Sequence, residues 1–156
     1  MPAMLRPSVE CWITRPLREQ PHVLLLHAPE RPGVRPALWQ PVSGGIEDGE
    51  DPIEACLREV REESGLDLPP EALATVVEDV TLVFNADRAL RKFVYAAVAP
   101  PGRITLDLRE HDAHQWMAAD AVAAALTRES HRAMWELAEP IVRTIAASDQ
   151  SETDSG

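Results

Sequence analysis

Cysteine is scarce in this chain. Cys11 and Cys56 are the only two among 156 residues, they form no CxxC pair, and neither has a Cys or His neighbour at zinc spacing. That argues against a disulfide scaffold or a structural zinc site and leaves two reduced thiols. No apolar run approaches the roughly 20 residues of a membrane span. The opening MPAMLRPSVE lacks the long apolar core of a secretory signal, so a cytoplasmic location and no membrane partner are expected. Basic charge is also short: 15 Lys and Arg stand against 26 Asp and Glu, a net charge of -11. Such a chain is repelled by DNA and RNA unless its charge is strongly segregated, so no nucleic-acid polymer is expected as a partner. An anionic small molecule would need a divalent cation as intermediary. The sequence shows no internal repeat.

What is present is an ordinary globular composition, 45% hydrophobic and 26% charged, at a length that fits one domain. Residues 8–14 (SVECWIT) alternate apolar and polar and predict a half-buried strand. RPLREQP breaks the pattern, and HVLLLHA (22–28) follows as a central strand able to form a hairpin with the first. PERPGVRPA predicts a loop, and LWQPVSGG (38–45) a short extended segment. Asp51-Pro52 predicts a helix start, with the helix running to about Ser64 and Gly65 as a left-handed stop. Further strands are expected at 75–84, 92–99 and 104–108. The C-terminal third is helical in composition, with Pro140 expected to kink or divide the last helix. The domain is expected over residues 1–147, with 148–156 a disordered polar tail.

The helix after Asp51 is the most informative segment. At 100° per residue, Ile53, Cys56, Leu57 and Val60 form an apolar stripe. Glu59, Glu62 and Glu63 share a different arc, three and four residues apart, where like charges destabilise a helix by a few tenths of a kcal/mol per pair. Arg58 can offset part of this by pairing with Glu54 or Glu62. Three glutamates alone would read as a solvated acidic face. The residues fixed around them change that reading. GGIEDGEDPIEACLREVREESGL (44–66) matches G-x5-E-x7-R-E-U-x-E-E-x-G-U, with U a bulky aliphatic residue, at Gly44, Glu50, Arg58, Glu59, Val60, Glu62, Glu63, Gly65 and Leu66. With ordinary residue frequencies, a chance match has odds on the order of one in ten million.

This pattern is the Nudix box, and the chain resembles the Nudix hydrolases. The resemblance implies an α/β/α sandwich with a mixed central sheet. It also implies hydrolysis of a diphosphate linkage, with Mg²⁺ (Mn²⁺ as a substitute) held by box glutamates. By the same resemblance Glu59, Glu62 and Glu63 match the metal-binding carboxylates, with Glu59 and Glu63 also counted as catalytic. Gly44 matches a position whose backbone carbonyl joins the metal shell. Arg58 matches an arginine of the catalytic set whose role is to orient a glutamate. Glu50 is read as structural. The physical logic agrees: a hard cation wants oxygen ligands and bridges carboxylates to phosphates, so glutamates that repel one another when empty form a cradle when filled.

A second constellation, REHDAHQWM (109–117), resembles the Glu-His pair with a following aromatic that several Nudix hydrolases carry on a loop facing the box. Glu110 is thereby a candidate metal ligand or general base, against a plain exposed loop carboxylate. Trp39 has two readings, a ring stacking on a flat heterocycle of the substrate or a tryptophan packed at the sheet edge. Trp12, Trp116 and Trp135 are expected in the core, and His27, His114 and His131 carry no functional signal. The 30–38 loop and the 85–92 segment are expected to shape specificity. Arg88, Arg91 and Lys92 read as phosphate contacts or, more simply, a solvated basic turn. WQPVSGGIEDGE with EHDAHQWM resembles most the nucleoside triphosphate and dihydroneopterin triphosphate pyrophosphatase branch, which releases pyrophosphate. The alternatives are a diadenosine polyphosphate or other nucleoside-diphosphate-X hydrolase, or a non-catalytic nucleotide-sensing module. Dimers are frequent in the family, so a homodimer is one expected assembly.

Overall fold

The computed structural model describes residues 3–4, 6–83 and 86–154. After the short strand β1 (Ala3–Met4), β2 (Ser8–Leu17) and β3 (Gln20–Ala28) pair antiparallel as a hairpin. The stretch RPLREQP does not interrupt them as expected. Arg18 and Glu19 both take positive φ, 52° and 63°, so a two-residue turn with the twist of the flanking strands absorbs the break. Next come β4 (Leu38–Gln40) and β5 (Val42–Gly45), divided at Pro41. β4 pairs with β3 and β5 with β2, so the chain changes partner at the proline.

Helix α1 (Pro52–Ser64) begins as the sequence predicts. Asp51 accepts from Glu54 N at 2.8 Å, Glu54 reaches back to Asp51 N, and Pro52 opens the helix. Gly65 ends it in the left-handed region at φ 77°. A short 3₁₀ turn (Pro70–Ala72) leads to β6 (Ala74–Val83) and β7 (Arg88–Val98), followed by β8 (Ala113–Ala118), α2 (Ala119–Ala125) and α3 (Glu129–Asp154). Phe84, the end of one expected strand, and Asn85 lie outside the described residues.

The strands form one mixed sheet. β7 and β2 run parallel, β3 is antiparallel to β2, and β8 is antiparallel to β3. Alternation along β2 then sends side chains to two cores. Val9, Cys11 and Ile13 meet Cys56 and Val60 of α1, while Trp12 meets Val122 of α2 and Trp135, Ala138 and Val142 of α3. Helices on both faces make the expected α/β/α sandwich.

Several expectations change. Residues 104–108 are not a strand. Their alternation reflects packing over the end of α1, where Thr105 N donates to Ser64 O at 2.8 Å and Ile104 and Leu106 lean on the core. Ile53, assigned to the apolar stripe, is 40% exposed. Trp116 lies on β8 rather than a loop, half-buried under the Arg15 guanidinium, 4.4 Å from its ring centroid. Pro140 does not divide α3: Ala138, Val142 and Ala146 around it share one buried face, and that packing holds the two halves in one helix despite the missing N–H. The helix is continuous from Glu129 to Asp154. Once a helix is nucleated, propagation into polar residues is far easier than starting anew.

Candidate active site

β5 and α1 build the site together. Gly44 lies against α1 so closely that a Cβ there would fall 2.1 Å from the Glu59 carboxyl carbon. A side chain at this position would push the Glu59 carboxylate out of its place against the strand, and glycine leaves it there. Ser43 N donates to Glu63 Oε2 at 3.1 Å, tying the buried end of the acidic helix face to the same strand.

Arg58 organises the outer half. Its guanidinium makes a two-pronged contact with Glu50, Nε to Oε2 at 2.8 Å and Nη2 to Oε1 at 2.9 Å. It also donates to Glu59 Oε1 at 2.8 Å, Glu62 Oε2 at 3.2 Å and the Gly45 carbonyl at 2.9 Å. The expected pairing with Glu54 is not made; Glu54 is engaged at the helix cap. The fork geometry of arginine matches this many acceptors. Its hydrogen bonds lower the Glu50 carboxyl to about 2. Glu50 thus holds the Arg58 guanidinium through both of its carboxylate oxygens.

Glu63 is the opposite case. It is 6% exposed, and burial pushes its carboxyl up to about 9, with the negative charges of Glu59, Glu110 and Glu62 adding to the effect. Glu59 is also shifted up, by burial first and then by Glu62 and Glu110 against the pull of Arg58. Glu110 comes from the turn after residue 106, where the Asp107 carbonyl accepts from both Glu110 N and His111 N at 3.0 Å. It lines a cavity of about 610 Å³ with Glu62, Arg61 and Arg109. The fold thus brings Glu110 to the box, 47 residues from Glu63 in sequence (110 − 63).

The donor set fits a hard divalent cation. Buried like charges raise one another's pKa, and a cation would relieve both that repulsion and the burial penalty. Among the described residues no three carboxylate, imidazole or thiol groups converge on one point. Glu59 and Glu62 accept from the Arg58 guanidinium and Glu63 from the Ser43 amide, each taking a donor within reach.

Trp39 is not brought to the carboxylates. It packs on the α2/α3 face against His27, ring centroids 4.9 Å apart, and bridges to Leu126. Its neighbour Gln40 turns the other way and donates through Nε2 to His111 Nε2 at 2.8 Å. That leaves the buried His111 Nδ1 without a partner among the described residues. Burial lowers the His111 pKa, so this imidazole is a neutral strut beneath Glu110. Gln40 and Ser43 were missed in the sequence, because their faces depend on which strands β4 and β5 pair with.

The NUDIX domain model matches residues 4–137. The dihydroneopterin triphosphate diphosphatase of Escherichia coli (strain K12) is 34% identical over 103 residues, covering 60% of this chain and 68% of that one. The solved structure of the E. coli dihydroneopterin triphosphate pyrophosphohydrolase superposes with a TM-score of 0.60 at 25% identity, over 87% of this chain and 96% of the other. The NUDIX domain of Shewanella oneidensis NrtR, solved with ADP ribose, gives a TM-score of 0.73 at 17% identity, over 91% and 90% of the two chains. With the complete box, its buried Glu63 and this match over most of its length, the chain belongs to the NUDIX family and is a hydrolase of phosphoanhydride bonds.

Proposed function

We propose that this hydrolase cleaves a diphosphate linkage in a nucleoside triphosphate or related triphosphate and releases pyrophosphate. A divalent cation, Mg²⁺ or Mn²⁺, would be held by Glu59, Glu62, Glu63, Glu110 and the Gly44 carbonyl. The observation that carries this reading is Glu63, a buried carboxyl raised to about 9 beside three more carboxylates and a bare glycine. Such an arrangement costs stability in the empty protein and is relieved by a cation. When bound, that cation cancels phosphate charge and polarises the phosphorus–oxygen bonds. Glu110, exposed at the edge of the cavity, takes the proton of the water that attacks the α-phosphorus. Arg58 is a positioning residue: its contacts go to Glu47, Glu50, Glu59, Glu62 and the Gly45 carbonyl, and it holds the two outer carboxylates in place. The similarity to dihydroneopterin triphosphate diphosphatase supports a triphosphate as substrate.

The test is a Mg²⁺-dependent hydrolysis screen of triphosphates, dinucleoside polyphosphates and ADP-ribose, with products resolved by chromatography. Monophosphate plus pyrophosphate is the expected product pair. Glu63→Gln is expected to lower turnover by at least about a hundredfold in a folded protein. Near-normal activity in that variant would overturn the assignment of the carboxylates.

A further inference from the structure

A second cavity, of about 790 Å³, borders the carboxylate site across β5 and shares Ser43, Gly44 and Gly45 with it. It opens between β2, β7 and the chain entering α3. Its charge is layered. Arg6, Arg88 and Arg128 line it with a single carboxylate, Glu129, among the described residues. Its floor is different: Lys92 and His131 are 4% and 2% exposed. Beneath them the fully buried Glu10 takes Lys92 Nζ at 2.5 Å on one oxygen and Trp12 Nε1 at 2.8 Å on the other. Burial, Lys92 and Arg128 keep His131 neutral, lowering it to about 3. The cavity therefore has a cationic rim next to the phosphate-handling carboxylates and a floor whose charges cancel.

A floor of that kind suits an uncharged polar ring, with the anionic chain running over the rim toward Gly44. Lys92 is the only lysine in the chain, against 14 arginines, since Lys and Arg together number 15. Every other side-chain cation outside histidine is a guanidinium fork. At this one buried place the chain has a compact ammonium with three donors and no acceptor. Only one of those donors is used, toward Glu10, among the described residues. With its charge already balanced by Glu10, the ammonium is a hydrogen-bond donor for a neutral acceptor rather than an anion site.

We propose that Lys92 is a specificity-determining residue that donates to a ring carbonyl of the substrate. The hydrolase accordingly prefers triphosphates of oxo heterocycles, such as hypoxanthine, guanine or uracil, over those with an amino group at that position, such as adenine or cytosine. An ammonium cannot accept from an amino group, and a polar site facing the wrong partner discriminates strongly. This inference rests on the triphosphate reading above and names the ring that reading left open.

The test uses pairs that differ at one atom: inosine against adenosine and uridine against cytidine 5′-monophosphates, titrated in Mg²⁺ buffer, where nothing is hydrolysed. Binding at least about tenfold tighter for the oxo member of each pair is expected. With ¹³Cε-labelled lysine the protein gives a single side-chain signal, which should shift on saturation with inosine monophosphate and stay in place with adenosine monophosphate. In the double variant Glu10→Gln/Lys92→Gln, which leaves no buried charge unpaired, the preference should fall to within about twofold. Equal affinities, an unmoved lysine signal at saturation, or a preference that survives in the double variant would overturn the proposal. If that variant does not fold, the wild-type lysine signal decides. Oxo-selective binding without any triphosphate turnover would sink the pyrophosphohydrolase reading and leave this one standing; turnover without selectivity would do the reverse.

Discussion

Lys92→Met tests how the interior beneath the second cavity is held. Glu10 is fully buried and Lys92 nearly so, 2.5 Å apart. Removing the ammonium leaves a carboxylate in the core with Trp12 as its remaining hydrogen-bond donor. His131, 3.9 Å away, does not replace the lost cation, because burial, the chief cause of its lowered pKa, and Arg128 both remain after the substitution. Stripping one partner from a buried pair costs about 3–5 kcal/mol. For a chain of this size that is a fall in Tm of about 6–20 °C, at 2–4 °C per kcal/mol. The deficit must depend on pH. Burial already raises the Glu10 pKa, against the pull of Lys92, and removing Lys92 raises it further. For a carboxyl with a raised folded pKa the penalty is absent below the ordinary value near 4.5 and grows as pH rises toward the folded pKa. Thermal melts at pH 5 and pH 8 should therefore show the smaller deficit at pH 5. Glu10→Gln/Lys92→Met should recover most of the loss at both. A single variant melting within about 2 °C of wild type at pH 8, or one with equal deficits at both pH values, would refute the reasoning.

Three further substitutions probe the carboxylate site and its helix. Gly44→Ala places a Cβ 2.1 Å from the Glu59 carboxyl carbon and should weaken Mn²⁺ binding, followed by electron paramagnetic resonance, by about tenfold or more. Arg58→Lys keeps the charge but cannot hold Glu50 with two prongs while reaching Glu59 and Glu62; kcat should fall about tenfold with KM little changed, while circular dichroism and the thermal melt show the variant fully folded at the assay temperature. Gly65→Ala forces a side chain into φ 77° with Thr105 Cβ 2.9 Å from the new atom. It should lower stability by about 1–2 kcal/mol in urea unfolding.

Local signals in the sequence carried far where they were sufficient. The Asp51 cap, Pro52 and Gly65 set the limits of α1 because capping depends on a few neighbouring residues. The spacing of Arg58, Glu59, Glu62 and Glu63 placed the carboxylates because a helix converts sequence interval directly into angle. Gly44 and Glu50 were readable for the same reason, as parts of one contiguous motif.

What the sequence could not decide depended on which strands become neighbours. Trp39 and Gln40 are adjacent in sequence, yet one packs on the α3 face and the other meets His111, because the register of β4 against β3 assigns the faces. The alternation of 104–108 suggested a strand, but alternation cannot distinguish a ladder from packing over a helix end. Lys92 read as part of a solvated basic turn; its burial is set by the parallel pairing of β7 with β2, which places it in contact with Glu10, 82 residues earlier in the chain. The sequence by itself determined the carboxylate helix and the chemistry it can support, since those are written in short intervals along the chain. The tertiary structure alone decided which face each strand residue occupies and that the single lysine lies on the floor of a pocket, since pairing between distant strands leaves no local trace.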